Sequence, residues 1–335
     1  MKAPEFWWHR SPTPAAWALS PVGAVIGAVA SRRLYKAPSI TPAIPVVCVG
    51  NPTVGGAGKT PLALAIAKHL KGLGARPVFL TRGYRGRLRG PLAVKPDVHT
   101  ATEVGDEPLL LARRHPTVVA KDRAAGAALA QTLGDVIVMD DGFQNPSVAK
   151  SVSLLVIDGL TGAGNGLVTP AGPLRAPLAA QLPFADAAVM VGHDGTGLDL
   201  DPLPRFKASL RPTASATLKN VPAMVFAGIG QPDKVFRSAA ALGARVRARR
   251  AFPDHHFYTS TEAQALLHAA RRHGLAPVTT RKDWVRLVSG SPAAMVLADT
   301  CIVMDVEAVP DTALLDGIAN AAFAHRSNSN NGVSP

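Results

Sequence analysis

The stretch VCVGNPTVGGAGKTPLALAIAKHL, from Val47 to Leu70, constrains the fold more than any other part of the chain. An apolar run that begins at Val46 predicts a buried strand, small residues follow, and an apolar stripe with helical spacing comes last. Small residues let backbone N–H groups approach an anion closely, and the next helix presents its positive N-terminal end to that anion. The order strand, glycine loop and helix therefore predicts a phosphate-binding site.

The spacing is close to the P-loop pattern G-x-x-x-x-G-K-[ST], in which the Lys contacts the β- and γ-phosphates and the hydroxyl binds Mg²⁺. Gly58, Lys59 and Thr60 fit this pattern, whereas Thr53 stands where the first Gly is usual. An ordinary turn with a surface Lys is the alternative, and the flanking strand and helix argue against it. We expect the nucleotide to bind at Thr53, Val54, Gly55, Gly56, Ala57, Gly58, Lys59 and Thr60.

A second motif, DVIVMDDGFQN, places two carboxylates after an apolar strand. A carboxylate at the end of a buried strand beside a P-loop holds Mg²⁺ directly or through water. We expect Thr60 and Asp141 to be the Mg²⁺ ligands, with Asp140 behind them or as an alternative ligand. Strands and helices alternate along the chain, which predicts a doubly wound, mainly parallel α/β sheet.

The pattern of strands and helices restarts near Phe206, which predicts a second, smaller α/β domain. We divide the chain into an N-terminal membrane segment at residues 1–36, a P-loop domain at 37–205, a smaller domain at 206–325 and a disordered tail at 326–335. Cys48 and Cys301 are the only cysteines, and both lie in apolar runs. We therefore expect no disulfide framework and a reducing compartment.

The charge of the chain favours an anionic partner. The formal net charge is +13, from 36 basic and 23 acidic residues. A loop after the second predicted strand, RGYRGRLRG, carries Arg82 and Arg85 and no acid, and Arg175 is the only charge in a long irregular stretch. Nucleic acid is a poor candidate for the partner, because only 5% of the residues are aromatic and no known RNA- or DNA-binding module is present.

An apolar stretch from Pro14 to Ala30, 17 residues long, precedes the basic residues Arg32, Arg33 and Lys36. It is short for a membrane span, which needs about 20 apolar residues, and a signal peptide would carry its charge before the apolar part. We expect a segment that lies in the membrane interface, with Trp7, Trp8 and Trp17 at headgroup level. A helix that packs on its own domain is the alternative.

Several motifs together resemble one family, the tetraacyldisaccharide 4′-kinases of Gram-negative bacteria. The shared motifs span nearly the whole chain in order: VGNPTVGGAGKTP, RGYRGR, GDEPLLL, DDGFQN, GNGLVTPAGPLR, FAGIGQP, FPDHHFY and TRKDWVR. Two positions depart from the family pattern, Asn145 where a His is usual and Ala176 where an acid is usual. These departures leave the roles of the two positions open.

The resemblance implies that the chain transfers the γ-phosphoryl group of ATP, with Mg²⁺, to the 4′-hydroxyl of a tetraacyldisaccharide 1-phosphate, a lipid A precursor. It also implies a peripheral enzyme on the cytoplasmic face of the bacterial inner membrane, where an anionic membrane surface is a second partner. We assign binding of the anionic substrate to residues in the matching motifs, namely Arg82, Arg85, Gln144 and Arg175.

The substrate hydroxyl must lose a proton during the transfer, so a base is expected within hydrogen-bond reach. The resemblance favours Asp106 of VGDEP as this base and His255 of FPDHH as its partner, with Lys59 as the third catalytic residue. Asp106 also precedes Pro108 at a predicted helix start, so a helix N-cap is its alternative role.

Two further functions are compatible with a P-loop. A soluble kinase or ligase of a small metabolite would be active without detergent and indifferent to deletion of residues 1–36. A GTPase acting as a switch or metallochaperone would need a base-reading N-K-x-D motif, and TRKD lacks the Asn.

Overall fold

A computed structural model describes residues 3–331, with side chains described for residues 3–324. Two short 3-10 helices lie at Glu5–Trp8 and Leu182–Phe184. The α-helices are α1 (Pro14–Leu34), α2 (Lys59–Gly72), α3 (Ala101–Val104), α4 (Asp106–Ala112), α5 (Arg123–Ala130), α6 (Leu178–Gln181), α7 (Pro232–Ala241), α8 (Ser260–Arg272), α9 (Arg281–Val288), α10 (Pro292–Thr300) and α11 (Thr312–Asn331). The strands are β1 (Val46–Gly50), β2 (Pro77–Thr81), β3 (Leu92–Ala93), β4 (Thr117–Val119), β5 (Val136–Asp140), β6 (Val152–Asp158), β7 (Ala187–Val191), β8 (Arg205–Ala214), β9 (Pro222–Ala227), β10 (Arg245–Ala251), β11 (Ala276–Thr280) and β12 (Ile302–Pro310).

The strands form one 12-stranded sheet in the order β10-β9-β11-β12-β8-β7-β6-β1-β5-β2-β4-β3. The strands from β4 to β8 in this order are parallel to one another, and so are those from β10 to β12. The antiparallel pair β8–β12 joins the two parallel blocks, and β3 closes one edge antiparallel to β4. The predicted mainly parallel α/β sheet is confirmed.

Strand β1 lies between β5 and β6, and every residue of the three strands except Asp158 at the end of β6 is buried. Parallel strands covered by helices on both faces read as continuous apolar runs, as β1 and β5 do here. Helix α2 packs Leu62, Ile66 and Leu70 against the sheet in the largest core cluster. Because β1 and β5 are neighbours and parallel, the loops that follow them meet at the same edge of the sheet.

The second parallel block folds back onto the first through helices. Helix α4 of the first block packs on α9 of the second, and α2 packs on β12. Helix α11, which belongs to the predicted 206–325 domain, packs Leu314 and Ile318 in the same core cluster as β1 and α2. The last helix therefore packs in the core of the first parallel block, which contains the P-loop. The division into two domains stays a prediction.

The predicted disordered tail at 326–335 differs from the structure, because α11 continues to Asn331. No glycine or proline interrupts the chain between Gly317 and Gly332, so each added residue extends the helix by one hydrogen bond. Residues 332–335, like residues 1–2, lie outside the described residues.

Helix α1 is continuous through Pro21 and docks on the irregular stretch after β6. Gly23 and Gly27 allow this close approach, because a Cβ on Gly23 would lie 2.6 Å from the Val168 carbonyl oxygen. By length and composition α1 could cross a membrane, and only 17% of its apolar window is buried inside the molecule. Trp7, expected at headgroup level, is instead buried and donates its indole N–H to the Pro170 carbonyl at 2.9 Å.

Candidate active site

The loop between β1 and α2 brings its backbone toward the edge of the sheet. Gly58 is the N-cap of α2 and has φ +83°, a left-handed conformation that favours glycine. Gly50, at the end of β1, has no room for a side chain, because a Cβ there would lie 2.3 Å from Cβ of Phe143. Thr53, in place of the usual Gly, is buried and accepts a hydrogen bond from Asn51 Nδ2 at 3.2 Å. A threonine therefore stabilises the loop by a side-chain contact.

Lys59, the first residue of α2, points back across the loop. Its Nζ donates to Asn51 Oδ1 at 2.9 Å and to the Gly55 carbonyl at 3.2 Å, and it lies 3.6 Å from Asp141 Oδ1. Burial lowers the pKa of Lys59, although Asp141 acts in the opposite direction. An anion bound in the loop would replace these neutral oxygens as the partner of the ammonium group.

Thr60 and Asp140 form the second part of the site. Thr60 donates its hydroxyl to Asp140 Oδ2 at 2.8 Å. Asp140 Oδ1 is buried and has no hydrogen-bond partner among the described residues. Burial raises the pKa of Asp140 to about 7, and the nearby charge of Glu107 adds to this effect. An orphaned carboxylate oxygen next to a hydroxyl suits a cation.

Asp141 lies between two cations instead. Arg175 Nη2 donates to Asp141 Oδ2 at 3.0 Å, and Lys59 approaches the other oxygen. Burial favours the neutral acid, but Lys59 and Arg175 hold the pKa of Asp141 below its usual range. Asp141 also has φ +59°, which is uncommon for a residue other than glycine and typical of a constrained site.

The predicted metal ligands therefore meet at one place, although their partners differ. Within residues 3–324, no three His, Cys, Asp or Glu side chains are grouped so that they could hold a metal ion by themselves. Mg²⁺ is commonly held by one or two carboxylates together with substrate phosphates and water, so this donor set fits it. The orphaned oxygen of Asp140 favours Asp140, rather than Asp141, as the carboxylate nearest to the ion.

Two predicted substrate residues, Gln144 and Arg175, donate hydrogen bonds to backbone carbonyls of the P-loop. Arg175 Nε donates to the Thr53 carbonyl at 2.9 Å, and Gln144 Nε2 donates to the Asn51 carbonyl at 2.8 Å. Gln181, a buried residue that the sequence analysis missed, accepts from Gln144 and donates to the Ala176 carbonyl. These contacts fix the backbone of the P-loop.

The other two predicted substrate residues, Arg82 and Arg85, lie exposed after β2. Arg85 Nη1 donates to the Asp254 carbonyl of the second parallel block at 3.2 Å. Burial, together with the nearby charge of Arg82, lowers the pKa of Arg123 to about 10, although Asp141 and Asp140 act in the opposite direction.

Asp106 and His255, 149 residues apart, are in contact. His255 Nδ1 lies 2.9 Å from Asp106 Oδ2, and Asp106 is 4% exposed. The alternative role of Asp106, a helix N-cap, is wrong, because Gly105 is the N-cap of α4 and Asp106 is the first helical residue. Its Oδ1 accepts only from the N–H of Glu107, at 3.0 Å, among the described residues.

Two cations of α9 also contact the start of α4, and the sequence analysis missed both. Arg286 Nη1 donates to Asp106 Oδ2 at 2.6 Å, and Lys282 Nζ donates to Glu107 Oε1 at 2.6 Å. Burial alone would raise the pKa of Asp106. His255 and then Arg286 lower it by more than burial raises it, so this pKa lies well below its usual range. The spacing of the two cations is the sequence signal that could have indicated these contacts. Lys282 and Arg286 are one helical turn apart in TRKDWVR, so both lie on one helix face and can contact the adjacent acids Asp106 and Glu107.

The two departures from the family pattern have local structural roles. Ala176 is buried, and its carbonyl accepts from Gln181 Nε2 at 2.7 Å. Asn145 Oδ1 accepts from the backbone N–H of Ser147 at 2.9 Å and so closes a turn. Each of the two follows a residue that contacts the P-loop backbone, Gln144 or Arg175, and neither contacts Asp106.

Comparisons with known proteins agree over most of the chain. The family model described as tetraacyldisaccharide-1-P 4′-kinase (LpxK) matches residues 15–322. The tetraacyldisaccharide 4′-kinase of Methylobacterium sp. (strain 4-46) is 54% identical over 307 residues, which cover 89% of this chain and 91% of that protein. The enzyme of the same name from Azorhizobium caulinodans is 48% identical over 340 residues, which cover 97% and 99%.

A solved structure has the same fold. The crystal structure of LpxK from Aquifex aeolicus in complex with ATP superposes with a TM-score of 0.74 and 23% identity. The match covers 92% of this chain and 99% of that one.

Proposed function

The chain belongs to the tetraacyldisaccharide-1-P 4′-kinase family, and we propose how its residues carry out the reaction of that family. It is an ATP-dependent kinase that phosphorylates the 4′-hydroxyl of a tetraacyldisaccharide 1-phosphate in lipid A biosynthesis. This family membership excludes the soluble kinase of a small metabolite, the GTPase and the nucleic-acid protein. The contact between Asp106 and His255 beside a phosphate-binding loop is the observation that carries the mechanism.

The loop binds the phosphates of ATP. The glycine loop before α2 supplies backbone N–H groups, although that of Val54 is bonded to the Pro173 carbonyl at 2.7 Å. Lys59 moves from Asn51 and Gly55 onto the β- and γ-phosphates. In phosphoryl transfer, positioning and electrostatic stabilisation provide nearly all of the catalysis, because the transition state is loose and spreads charge over the equatorial oxygens. Lys59 is therefore a catalytic residue that offsets charge as the bond to the leaving group breaks.

Thr60 and Asp140 are the residues that would hold Mg²⁺, with Asp141 close by. Mg²⁺ held by these residues would supply positive charge next to the phosphates. A cation held there would favour the ionised form of Asp140, whose pKa is raised by burial and by the negative charge of Glu107. Asp141 keeps Lys59 and Arg175 in place through its two oxygens.

Asp106 accepts the proton of the attacking hydroxyl. The oxygen of that hydroxyl forms a bond to the γ-phosphorus as the bond to the β-phosphate oxygen breaks. Asp106 is ionised at neutral pH, because His255 and Arg286 lower its pKa, and a general base must be deprotonated to act. His255 holds the carboxylate through Oδ2.

The substrate is a lipid with an anionic headgroup, and the enzyme offers complementary surfaces. Arg82 and Arg85 are exposed after β2, and Gln144 and Arg175 contact the P-loop; guanidinium groups suit a phosphate of the substrate. The exposed apolar face of α1 and its terminal Arg32 and Arg33 suit insertion among lipids of anionic headgroup. The proposed location is the cytoplasmic face of the inner membrane, where ATP is available.

The mechanism is tested by the Asp106→Asn and His255→Ala variants, with phosphate transfer from ATP to the lipid measured in detergent micelles. Asp106→Asn should lose about 100-fold or more in kcat while ATP binding is retained, because a general base contributes about 10²- to 10⁴-fold. His255→Ala should lose less, and the double variant should be no worse than Asp106→Asn, since residues that act as a unit are not additive.

The Arg114→Met variant is the matched control, because Arg114 joins the same two halves through Asp305 at 3.0 Å without touching Asp106. Its kcat should stay close to the native value. An Asp106→Asn enzyme with native turnover would show that Asp106 is not the base, and additive losses would show that His255 acts independently.

A further inference from the structure

We propose that Arg286 is the positioning residue of the reaction, which orients the carboxylate of Asp106 toward the substrate and keeps it ionised. The proposal rests on the function of Asp106 as the base. It assigns a role to α9, an element that supplies no group to the nucleotide loop.

The contacts of Asp106 are unequal between its two oxygens. Oδ2 faces both Arg286 Nη1 at 2.6 Å and His255 Nδ1 at 2.9 Å. Oδ1 has the Glu107 N–H at 3.0 Å as its partner within the described residues. A carboxylate oxygen has two lone pairs, so Oδ1 keeps one for the hydroxyl proton. Two donors on Oδ2 hold the plane of the carboxylate and leave Oδ1 to react.

Arg286 is itself held on its far side. Its Nη2 donates to the Gly228 carbonyl at 2.9 Å and to Asp283 Oδ1. Asp283 Oδ1 also accepts from the Gly228 N–H at 2.8 Å and from the Tyr258 hydroxyl at 2.7 Å. The backbone N–H of His255 donates to the same Gly228 carbonyl, at 3.0 Å. Arg286 and His255 are therefore positioned from one carbonyl and reach one carboxylate oxygen.

The cluster is almost completely buried, which decides its charge state. The side chains of Arg286, Asp106 and Asp283 are 1%, 4% and 0% exposed. Removal of one partner from a buried ion pair leaves an uncompensated charge, and a carboxyl group responds by taking up a proton. Loss of Arg286 would therefore favour the neutral form of Asp106, which cannot act as a base.

Other charged groups around Asp106 are few. From α9 it faces Lys282 as well as Arg286, and Lys282 is paired with the adjacent Glu107. Glu103 of α3 is bound to Thr100 in a capping box. The two strands packed on α4, β2 and β4, carry no titratable side chain. Arg286 and His255 are therefore the two groups in direct contact that set the proton affinity of Asp106.

The test compares Arg286→Gln, which removes the charge, with Arg286→Lys, which keeps the charge but not the planar fork of donors. The dependence of kcat on pH is measured with ATP and the lipid in detergent micelles, over the range in which circular dichroism shows a folded protein. KM for ATP is measured alongside. Arg114→Met again serves as the control, because it breaks another ion pair between the same halves.

We expect the acidic limb of kcat to lie at least about one pH unit higher in Arg286→Gln than in the native enzyme and to fall within the folded range, because the guanidinium no longer offsets the burial that raises the pKa of Asp106. We expect Arg286→Lys to keep the limb near its native position and to lose roughly 10- to 100-fold in kcat, since misplacement by about 1 Å costs about 100-fold. KM for ATP should be unchanged in both variants. A merely structural arginine would lower the stability of the fold without moving the limb.

A folded Arg286→Gln enzyme with the native acidic limb would overturn the proposal. If Arg286→Gln does not fold, native kcat in Arg286→Lys would overturn it equally. An active Asp106→Asn enzyme would mean that the proposed base is wrong, whereas an inactive Asp106→Asn with a native Arg286→Gln profile would reject only the role of Arg286.

Discussion

At the scale of single residues, Lys59 of the nucleotide site is hydrogen-bonded to neutral oxygens that a phosphate can replace. Lys59 Nζ is bonded to the neutral oxygens of Asn51 and Gly55, and burial lowers its pKa. An ammonium group that has lost water and is hydrogen-bonded to neutral acceptors, with its one carboxylate partner, Asp141, at 3.6 Å, gains more from a phosphate than a solvated one does. The loop is therefore organised for an anion before the anion arrives.

We predict that Lys59→Ala loses at least about 100-fold in kcat and keeps its fold, because Lys59 stabilises charge that develops only during transfer. Transfer to the lipid and thermal unfolding without nucleotide are the two measurements. Lys68→Ala, at an exposed position of the same helix, is the control and should retain native activity. Native turnover in folded Lys59→Ala protein would contradict the P-loop mechanism.

At the scale of elements, α1 has two faces with different tasks. Gly23 and Gly27 lie against Val168 and Pro177, so this face belongs to the fold of the enzyme. Trp17, Val25 and Val29 on the opposite face are 59%, 66% and 64% exposed. A contiguous exposed apolar surface on a helix near basic residues is typical of a membrane contact.

We predict that Val25→Glu with Val29→Glu strongly weakens binding to vesicles of anionic lipid and leaves the melting temperature unchanged, since both side chains face solvent. Gly23→Ala should lower the melting temperature, because its Cβ would collide with the Val168 carbonyl, and it should leave the exposed apolar face available for vesicle binding. Salt should weaken binding of the native protein only in part, because it screens the basic side chains but not the apolar contact. Full vesicle binding by the double Glu variant would favour a helix that merely packs on its own domain.

At the scale of the whole molecule, the two halves depend on each other for their cores. The chain leaves the first parallel block after β8, builds the second block from β9 to β12, and returns through α11, which packs on β1 and α2. Ile318 of α11 is 3% exposed within the cluster that also contains Leu62 and Val47. The stability of the nucleotide-binding half therefore depends on residues near the C-terminus.

We predict that Ile318→Ala lowers the free energy of unfolding by about 2–5 kcal/mol, because a buried side chain is replaced by a cavity. Its neighbour Gly317 is exposed with no atom within 4 Å of an added Cβ, so Gly317→Ala should raise the free energy of unfolding by about 0.5–1 kcal/mol. Denaturant titration of both variants, with and without ATP, checks the pair. Unchanged unfolding of Ile318→Ala would show that α11 is not part of this core.

The sequence by itself was sufficient where the chemistry lies on contiguous residues. A strand, a glycine loop and a helix within Val46–Leu70 predict the phosphate site, since each part is a neighbour of the next along the chain. In the same way, the pair Asp140 and Asp141 after an apolar strand predicts the Mg²⁺ ligands. The motifs also identified the family, because their order along the whole chain is specific even though each is short.

Only the tertiary structure decided how these pieces are partnered. It brings Arg286 to Asp106 across 180 residues, pairs Lys282 with Glu107, and gives Asp140 rather than Asp141 the orphaned oxygen. Nothing local to TRKDWVR distinguishes a solvated Arg from a buried one, because burial depends on the packing of α9 against α4. Strand and helix periodicity carries information about which face is covered, but not about which distant element covers it, and the charge state of a buried carboxylate depends on that distant partner.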